Sequence, residues 1–327
     1  MPECAIFKHG VVIDTTSSIR PCCAWLSNKD EKPLYFNDDW QTRHAEWGKR
    51  SETEWLDGCA ECKLSEEQTG KSLRTMYNKE FENEVGIKHW DLKINNTCNF
   101  SCRMCHPGSS SKWANLIRDN KEYNWYGYEA RYEEPKTRWT KKALEFTPLM
   151  LDAKIIKFTG GEPLMIPQVK KIIQRLIDEG VSSNIEVQLI TNGSYDMTDW
   201  NHLFEKFKRI QINVSIEATG KRYEYIRPGS SWKQTSENLV KFNKLKPSNS
   251  YVTVSVLPMV FNHNNMDEII DWCNDNQINC FKSTPVIRPA FMSPDAMEDK
   301  LLREQLIEQS EIMDKIHGTN WRDFVNE

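Results

Sequence analysis

The chain has 327 residues, enough for one large α/β unit and a smaller module with a sizeable buried core. Its 43 Lys and Arg against 47 Asp and Glu give a net charge of −4, which excludes a broadly basic surface for nucleic acid. No stretch approaches the roughly 20 apolar residues of a membrane span. The start Met1-Pro2-Glu3-Cys4 has neither the basic nor the apolar region of a signal peptide. The expectation is therefore a cytoplasmic protein with no membrane partner, where thiols stay reduced. Ten cysteines then argue for metal or redox chemistry over disulfides.

Residues 1–85 are rich in Cys, Trp and charge, with weak periodicity. They read as a small module whose core is too thin to stand alone, and metal ligation would supply the missing stability. From about residue 87 the pattern changes. Strand candidates at 87–94, 154–158, 185–190, 210–216, 251–256 and 280–286 alternate with helical stretches at 168–179, 199–208, 232–244 and 266–274. Such alternation means a parallel sheet. Six βα units are too few for the usual closed eight-stranded barrel, so the pattern predicts a partial, TIM-like (β/α)6 barrel over residues 86–290. The first two strands are joined by a long connection. It holds a predicted helix at 111–120, an aromatic insertion over about 121–140 with Tyr123, Trp125, Tyr126, Tyr128, Tyr132 and Trp139, and a predicted helix at 141–149. The insertion reads equally as a substrate lid or a structural flap. Residues 291–327 read as a charged amphipathic helix at 294–316 with a fraying tail. Ser231, with Gln234 three residues on, resembles a capping box.

The strongest chemical signal is Cys98-Asn99-Phe100-Ser101-Cys102-Arg103-Met104-Cys105, directly after the first core strand. Three soft thiolates this close can converge on one metal centre. A [4Fe–4S] cluster normally takes four cysteines, so three leave one iron open to another ligand. A Cys₃His zinc site completed by His106 fits the spacing as well. The second signal is Thr159-Gly160-Gly161-Glu162-Pro163 at the end of the next strand, where paired glycines let a ligand approach the backbone. Taken alone it reads as an ordinary strand-to-helix turn.

Together, CxxxCxxC after the first strand and GGEP after the second resemble the radical S-adenosylmethionine (SAM) superfamily, over residues 88–287. The resemblance implies that Cys98, Cys102 and Cys105 hold a [4Fe–4S] cluster whose open iron chelates SAM. One electron, from a flavodoxin- or ferredoxin-like donor, then cleaves SAM to a 5′-deoxyadenosyl radical that takes hydrogen from the substrate. It implies further that Gly160, Gly161 and Glu162 meet the SAM amino group. Asn192, in Thr191-Asn192-Gly193, would lie near the ribose. Ser215-Ile216-Glu217 matches a family SLD segment, with Glu217 for the usual Asp. Arg227, twelve residues after Ser215, would share the SAM carboxylate with it, as a guanidinium can through paired hydrogen bonds. Met104, often aromatic in the family, would pack on the adenine or lie buried beneath the cluster.

In the amino-terminal module, Cys4, Cys22, Cys59 and Cys62 are separated by 17, 36 and 2 residues. The segments Ile19-Arg20-Pro21-Cys22 and Cys59-Ala60-Glu61-Cys62 are similar to a twitch domain, the shorter relative of the SPASM domain, which holds an auxiliary [4Fe–4S] cluster. A zinc ribbon fits the spacing too, and Cys23 leaves the ligand choice open by one position. The substrate classes implied are a peptide, a protein or a small metabolite. A non-catalytic iron–sulfur or zinc protein that binds a partner is the competing class. Cys273 and Cys280 read as buried structural cysteines.

Overall fold

The computed structural model describes residues 3–25, 34–35, 39–120, 143–287 and 289–325. The aromatic insertion lies outside them. The chain opens with α1 (Ala5–His9), β1 (Gly10–Ile13), β2 (Ser18–Arg20) and β3 (Leu34–Tyr35), then α2 (Trp40–Ser51), α3 (Ala60–Thr69) and α4 (Leu73–Glu80). The six expected core strands all form. They are β4 (His89–Leu92), β5 (Ile155–Phe158), β6 (Glu186–Thr191), β7 (Arg209–Ser215), β8 (Ser250–Val256) and β9 (Asn279–Lys282). Interleaved with them are α5 (Ser111–Asp119), α6 (Pro167–Asp178), α7 (Asn201–Phe204), α8 (Gly220–Ile226), α9 (Trp232–Leu245) and α10 (Met266–Asp275), and α11 (Lys300–His317) closes the order.

The strands make one mixed nine-stranded sheet, ordered β3-β2-β1-β4-β5-β6-β7-β8-β9. β4 to β9 run parallel, β1 runs parallel to β4, and β2 and β3 are antiparallel. Alternation decides the two faces. Along β6, β7 and β8 every second residue is buried, with Val187, Leu189, Ile210, Ile212, Val214 and Val254 at 0% exposure beneath the helices. The other face carries Gln188, Gln211, Asn213, Ser215, Thr253 and Ser255, all half-buried. A parallel sheet covered on both faces would be apolar throughout.

The boundary expected at residue 85 does not interrupt the sheet. β1 pairs with β4 in register, from Gly10 opposite His89 to Ile13 opposite Leu92. Nor is the core beneath it thin. Phe7, Trp25, Trp40 and Trp47 are buried and join one apolar cluster with Trp90 of the core. Their rings pack edge-on or tilted, Trp25–Trp47 at 6.1 Å and Trp40–Trp90 at 6.3 Å. Aromatic mass of this kind is invisible to a periodicity count.

Other expectations shift for local reasons. Of the helix expected at 141–149, the described residues form a turn over 143–146 and a single 3-10 turn, Thr147–Met150, with Pro148 in its first turn. The stretch at 199–208 shortens to α7 after a 3-10 turn capped by Asp196. Ser231 caps α9 by accepting from Gln234 N. α11 starts late, at Lys300, where Asp299 accepts from the Leu301 and Leu302 amides. The tail beyond it does not fray. Trp321 and Val325 are buried, and Phe324 stacks on Tyr225 at 4.2 Å. Among the described residues no helix is long and apolar enough to cross a membrane.

That tail is fastened to the cysteine loop by one buried ion pair. Arg103 donates from Nη2 to Asp314 Oδ1 at 2.7 Å, and its guanidinium lies 3.7 Å over the Tyr225 ring. Asp314 also accepts from Thr319 Oγ1 and Trp321 N. Replacing Asp314 with Ala leaves a buried, uncompensated guanidinium, so Asp314→Ala is expected to cost about 3–5 kcal/mol in denaturant unfolding.

Candidate functional site

The cysteine loop leaves β4 and is anchored at each end. Cys98 N donates to Ser111 Oγ at 3.1 Å, and Trp113 Nε1 donates to Cys102 O at 2.7 Å. In the middle, two backbone bonds clamp the loop to the end of α8. Ser101 N donates to Pro228 O and Arg103 N to Ile226 O, at 3.0 and 2.9 Å. Cys102 therefore faces Arg227, whose Nη1 donates to Cys102 Sγ at 3.4 Å. Arg227 is buried, and its Nε and Nη2 grip Glu217 at 2.5 and 2.6 Å. This is the paired geometry that makes guanidinium–carboxylate bonds strong.

The GGEP turn packs on the same loop from the β5 side. Gly161 has φ +52°, and a Cβ there would stand 2.4 Å from the Thr97 carbonyl oxygen, so no other residue fits. Gly161 N donates to Ser109 O and Glu162 N to Thr97 O. Glu162 is fully buried. Its Oε1 accepts from Thr191 Oγ1 and Leu164 N, and its Oε2 from Asn192 N. Glu162 thus ties the β5 turn to the β6 turn. Asn192 Nδ2 in turn donates to Asn99 Oδ1 at 2.9 Å and lies 3.9 Å from Cys98 Sγ.

The electrostatics fit a cationic centre. Burial pushes the Cys105 thiol up to about 11, and Cys98 and Cys102 up as well. Cys102 feels both neighbouring thiols, and the Arg227 charge opposes the rise at all three. Desolvated, mutually repelling thiols are the donor set that an iron centre would hold as thiolates. The zinc alternative fits less well. Both His106 ring nitrogens are engaged inside their own loop, with Gly108 N at 3.2 Å and Ser109 Oγ at 3.1 Å. Among the described residues no three His, Cys, Asp or Glu side chains close tightly enough on one point to grip a single ion. Zinc needs its sulfurs about 2.3 Å from that point.

Cys4, Cys22, Cys59 and Cys62 line one cavity, with Trp55, Arg74 and Tyr77. Burial raises Cys4 to about 12 and Cys59 to about 11, and the charges of Cys59 and Cys62 add to Cys4. Cys22 feels Cys23 first and then Cys4 and Cys59; Cys22 and Cys23 both act on Tyr77, and Cys23 acts also on Lys157 of β5. Cys273 and Cys280 are side-by-side free thiols away from both groups.

Of the remaining expected residues, Gly160 sits over the Lys93 side chain and Met104 lies half-buried against the core. Ser215 ends β7, in register with Ser255. Among the described residues no hydrogen bond joins it to Arg227, whose fork goes to Glu217 and Cys102. Asn99, Ser111, Trp113 and the Arg103–Asp314 pair were not singled out in the sequence. A charged residue inside the cysteine motif is the signal that could have found Arg103.

Burial also lifts the Glu162 carboxyl from its ordinary 4.5 to about 6, against three donors that lower it. Between those values the native state holds a proton that the unfolded chain has released. Stability of the metal-free protein is therefore expected to fall by about 1.3 kcal/mol as pH rises from 4.5 to 6, out of about 2 kcal/mol over the whole titration. Glu162→Gln should flatten that slope. It also turns an amide NH₂ against a backbone N–H in either flip, costing about 1–3 kcal/mol. Urea titrations at the two pH values measure both effects.

A family model for the Radical SAM superfamily matches residues 92–275, more than half of the chain. The radical SAM cyclopropyl synthase TigE of Paramaledivibacter caminithermalis is 24% identical over 65% of this chain and 44% of its own. A probable GTP 3′,8-cyclase of Methanocaldococcus jannaschii is 25% identical over 58% and 56%. An uncharacterised protein of the same organism is 28% identical over 48% and 47%, so the chain spans about half the length of the curated relatives it matches. The structure of Streptococcus suis SuiB bound to S-adenosylmethionine covers 88% of this chain and 53% of its own, at a TM-score of 0.40 and 12% identity. The interlocked cysteine and GGEP loops lie within the matched residues, and the chain belongs to the radical SAM superfamily.

Proposed function

We propose that the chain is an enzyme that cleaves SAM reductively at a [4Fe–4S] cluster held by Cys98, Cys102 and Cys105. The carrying observation is the fastening of three thiols to both the GGEP turn and Arg227 through the same loop. When bound, the cluster and SAM supply a 5′-deoxyadenosyl radical that takes hydrogen from a substrate. The protein's own part is position and electronics. Gly160 and Gly161 offer a side-chain-free turn for the SAM amino group, and Glu162 holds that turn to Asn192. Arg227 places a buried positive charge beside Cys102, which favours the thiolate and stabilises added negative charge there. Glu217 keeps that guanidinium oriented. The polar inner face of the sheet would line the cavity of a partial barrel.

Cys4, Cys22, Cys59 and Cys62 would hold an auxiliary [4Fe–4S] cluster in a twitch-type module, fully ligated and so suited to electron transfer. The cavity that the four cysteines share supports that set. A flavodoxin- or ferredoxin-like protein would supply the electron. The relatives are named for a cyclopropyl synthase and a GTP cyclase, so a peptide, a protein and a small metabolite all stay within the reading.

Anaerobically reconstituted protein with a strong reductant is expected to form 5′-deoxyadenosine from SAM. Replacing Cys98, Cys102 and Cys105 together with Ala should abolish it, and undiminished cleavage in that variant would sink the assignment. Iron analysis should find about eight irons in the wild type and about four in the triple variant. Cys22→Ser should lose about four irons, whereas Cys23→Ser should lose none.

A further inference from the structure

We propose that the inner face of the sheet beside the cysteine loop carries a binding site for a carboxylate, centred on Lys93 and completed by Arg20 and Lys157. The inference rests on the enzyme reading above and narrows the ligand class it takes.

Three cations share this face with two carboxylates. Lys157 pairs with Asp91 at 3.1 Å, and Asp91 also accepts from Thr159 Oγ1 at 2.9 Å. Arg20 reaches Asp14 only at 3.7 Å, and Asp14 already accepts from Thr16 N. Both acids are thus engaged. The half-buried Lys93 side chain, two residues beyond Asp91 on the same face, makes no hydrogen bond or ion pair among the described residues. Arg20 Nε is likewise buried with no partner.

A partly desolvated ammonium without a hydrogen-bond acceptor is costly. Burial and repulsion from Arg20 and Lys157 hold the Lys93 ammonium below its ordinary range, against the pull of the Asp14 and Asp91 charges. The remaining polar groups offer little relief. His89 and His106 are both held toward the neutral form by burial, and Cys23 acts on Lys157 rather than on Lys93. An incoming carboxylate would supply the missing charge and accept from Lys93 Nζ and Arg20 Nε.

The position makes the site useful. The Lys93 side chain runs under Gly160, and its charge acts on the Cys105 thiol. At the other end, Lys157 lies within the influence of Cys23, beside the amino-terminal cysteines. A ligand seated here would lie between the two cysteine groups. Two sources could supply the carboxylate: SAM itself, since the Arg227 fork is committed to Glu217, or the substrate.

The test uses the reconstituted, anaerobic holoenzyme as wild type, Lys93→Gln and Lys93→Arg, with malonate as the carboxylate probe in chloride buffer. Malonate should raise the Tm of the wild type and Lys93→Arg saturably, and should leave Lys93→Gln unmoved. Equilibrium dialysis of SAM separates the sources. SAM binding about tenfold weaker in Lys93→Gln assigns the carboxylate to SAM. Unchanged SAM binding with lost malonate protection assigns it to the substrate. Equal malonate and SAM responses in wild type and Lys93→Gln overturn the proposal. So does a Lys93→Gln protein that is less stable than wild type without malonate, since an unpaired ammonium should not be missed. Malonate protection without 5′-deoxyadenosine formation would leave the site standing and remove the enzyme reading instead.

Discussion

The two backbone bonds from Ser101 and Arg103 to Pro228 and Ile226 are the constraint on which the site depends. They hold an irregular, cysteine-bearing loop against a helix end more than 120 residues away in sequence. Once they form, Cys102 and Arg227 must face each other in a dry place. A buried guanidinium cannot stand alone there, and Glu217 answers it with both oxygens. Arg103, the next residue along, is buried by the same bonds and calls for Asp314. One pair of main-chain bonds thus fixes two ion pairs and brings the carboxy-terminal helix onto the cysteine loop.

The sheet supports this arrangement by having two unlike faces. The helix-covered face is apolar apart from Thr191 and Ser250, and its burial supplies the driving force for folding. The inner face carries amides, hydroxyls and charges at the alternate positions. Its ionic groups are nearly but not fully balanced, and the imbalance falls on Lys93, close to Gly160 and Cys105. Polar groups with spare hydrogen-bonding capacity inside a cavity are costly in the empty protein and useful to a bound ligand.

The amino-terminal segment is joined to this frame through β1, through the tryptophan cluster and through the turn at Cys22 and Cys23. In that turn Cys22 lines the cavity shared with Cys4 and Cys59, and Cys23 is exposed. The two cysteine groups are consequently parts of one folded body, with the polar face of the sheet running between them.

Much of the core was legible in the sequence because its signals are local. The alternation Arg209-Ile210-Gln211-Ile212-Asn213-Val214-Ser215 carries both the strand and its two faces, and the spacing of Cys98, Cys102 and Cys105 with GGEP names the chemistry. The polarity of the inner face could have been read from that same alternation. By itself, the sequence determined the parallel core strands and the family. The tertiary structure alone decided which groups meet across long separations. It paired β1 with β4, closed Arg103 on Asp314 211 residues on, and gave Arg227 to Glu217 and Cys102. These outcomes follow from burial and from the need to satisfy each buried charge. Both are properties of the packed whole, and no short stretch of residues encodes them.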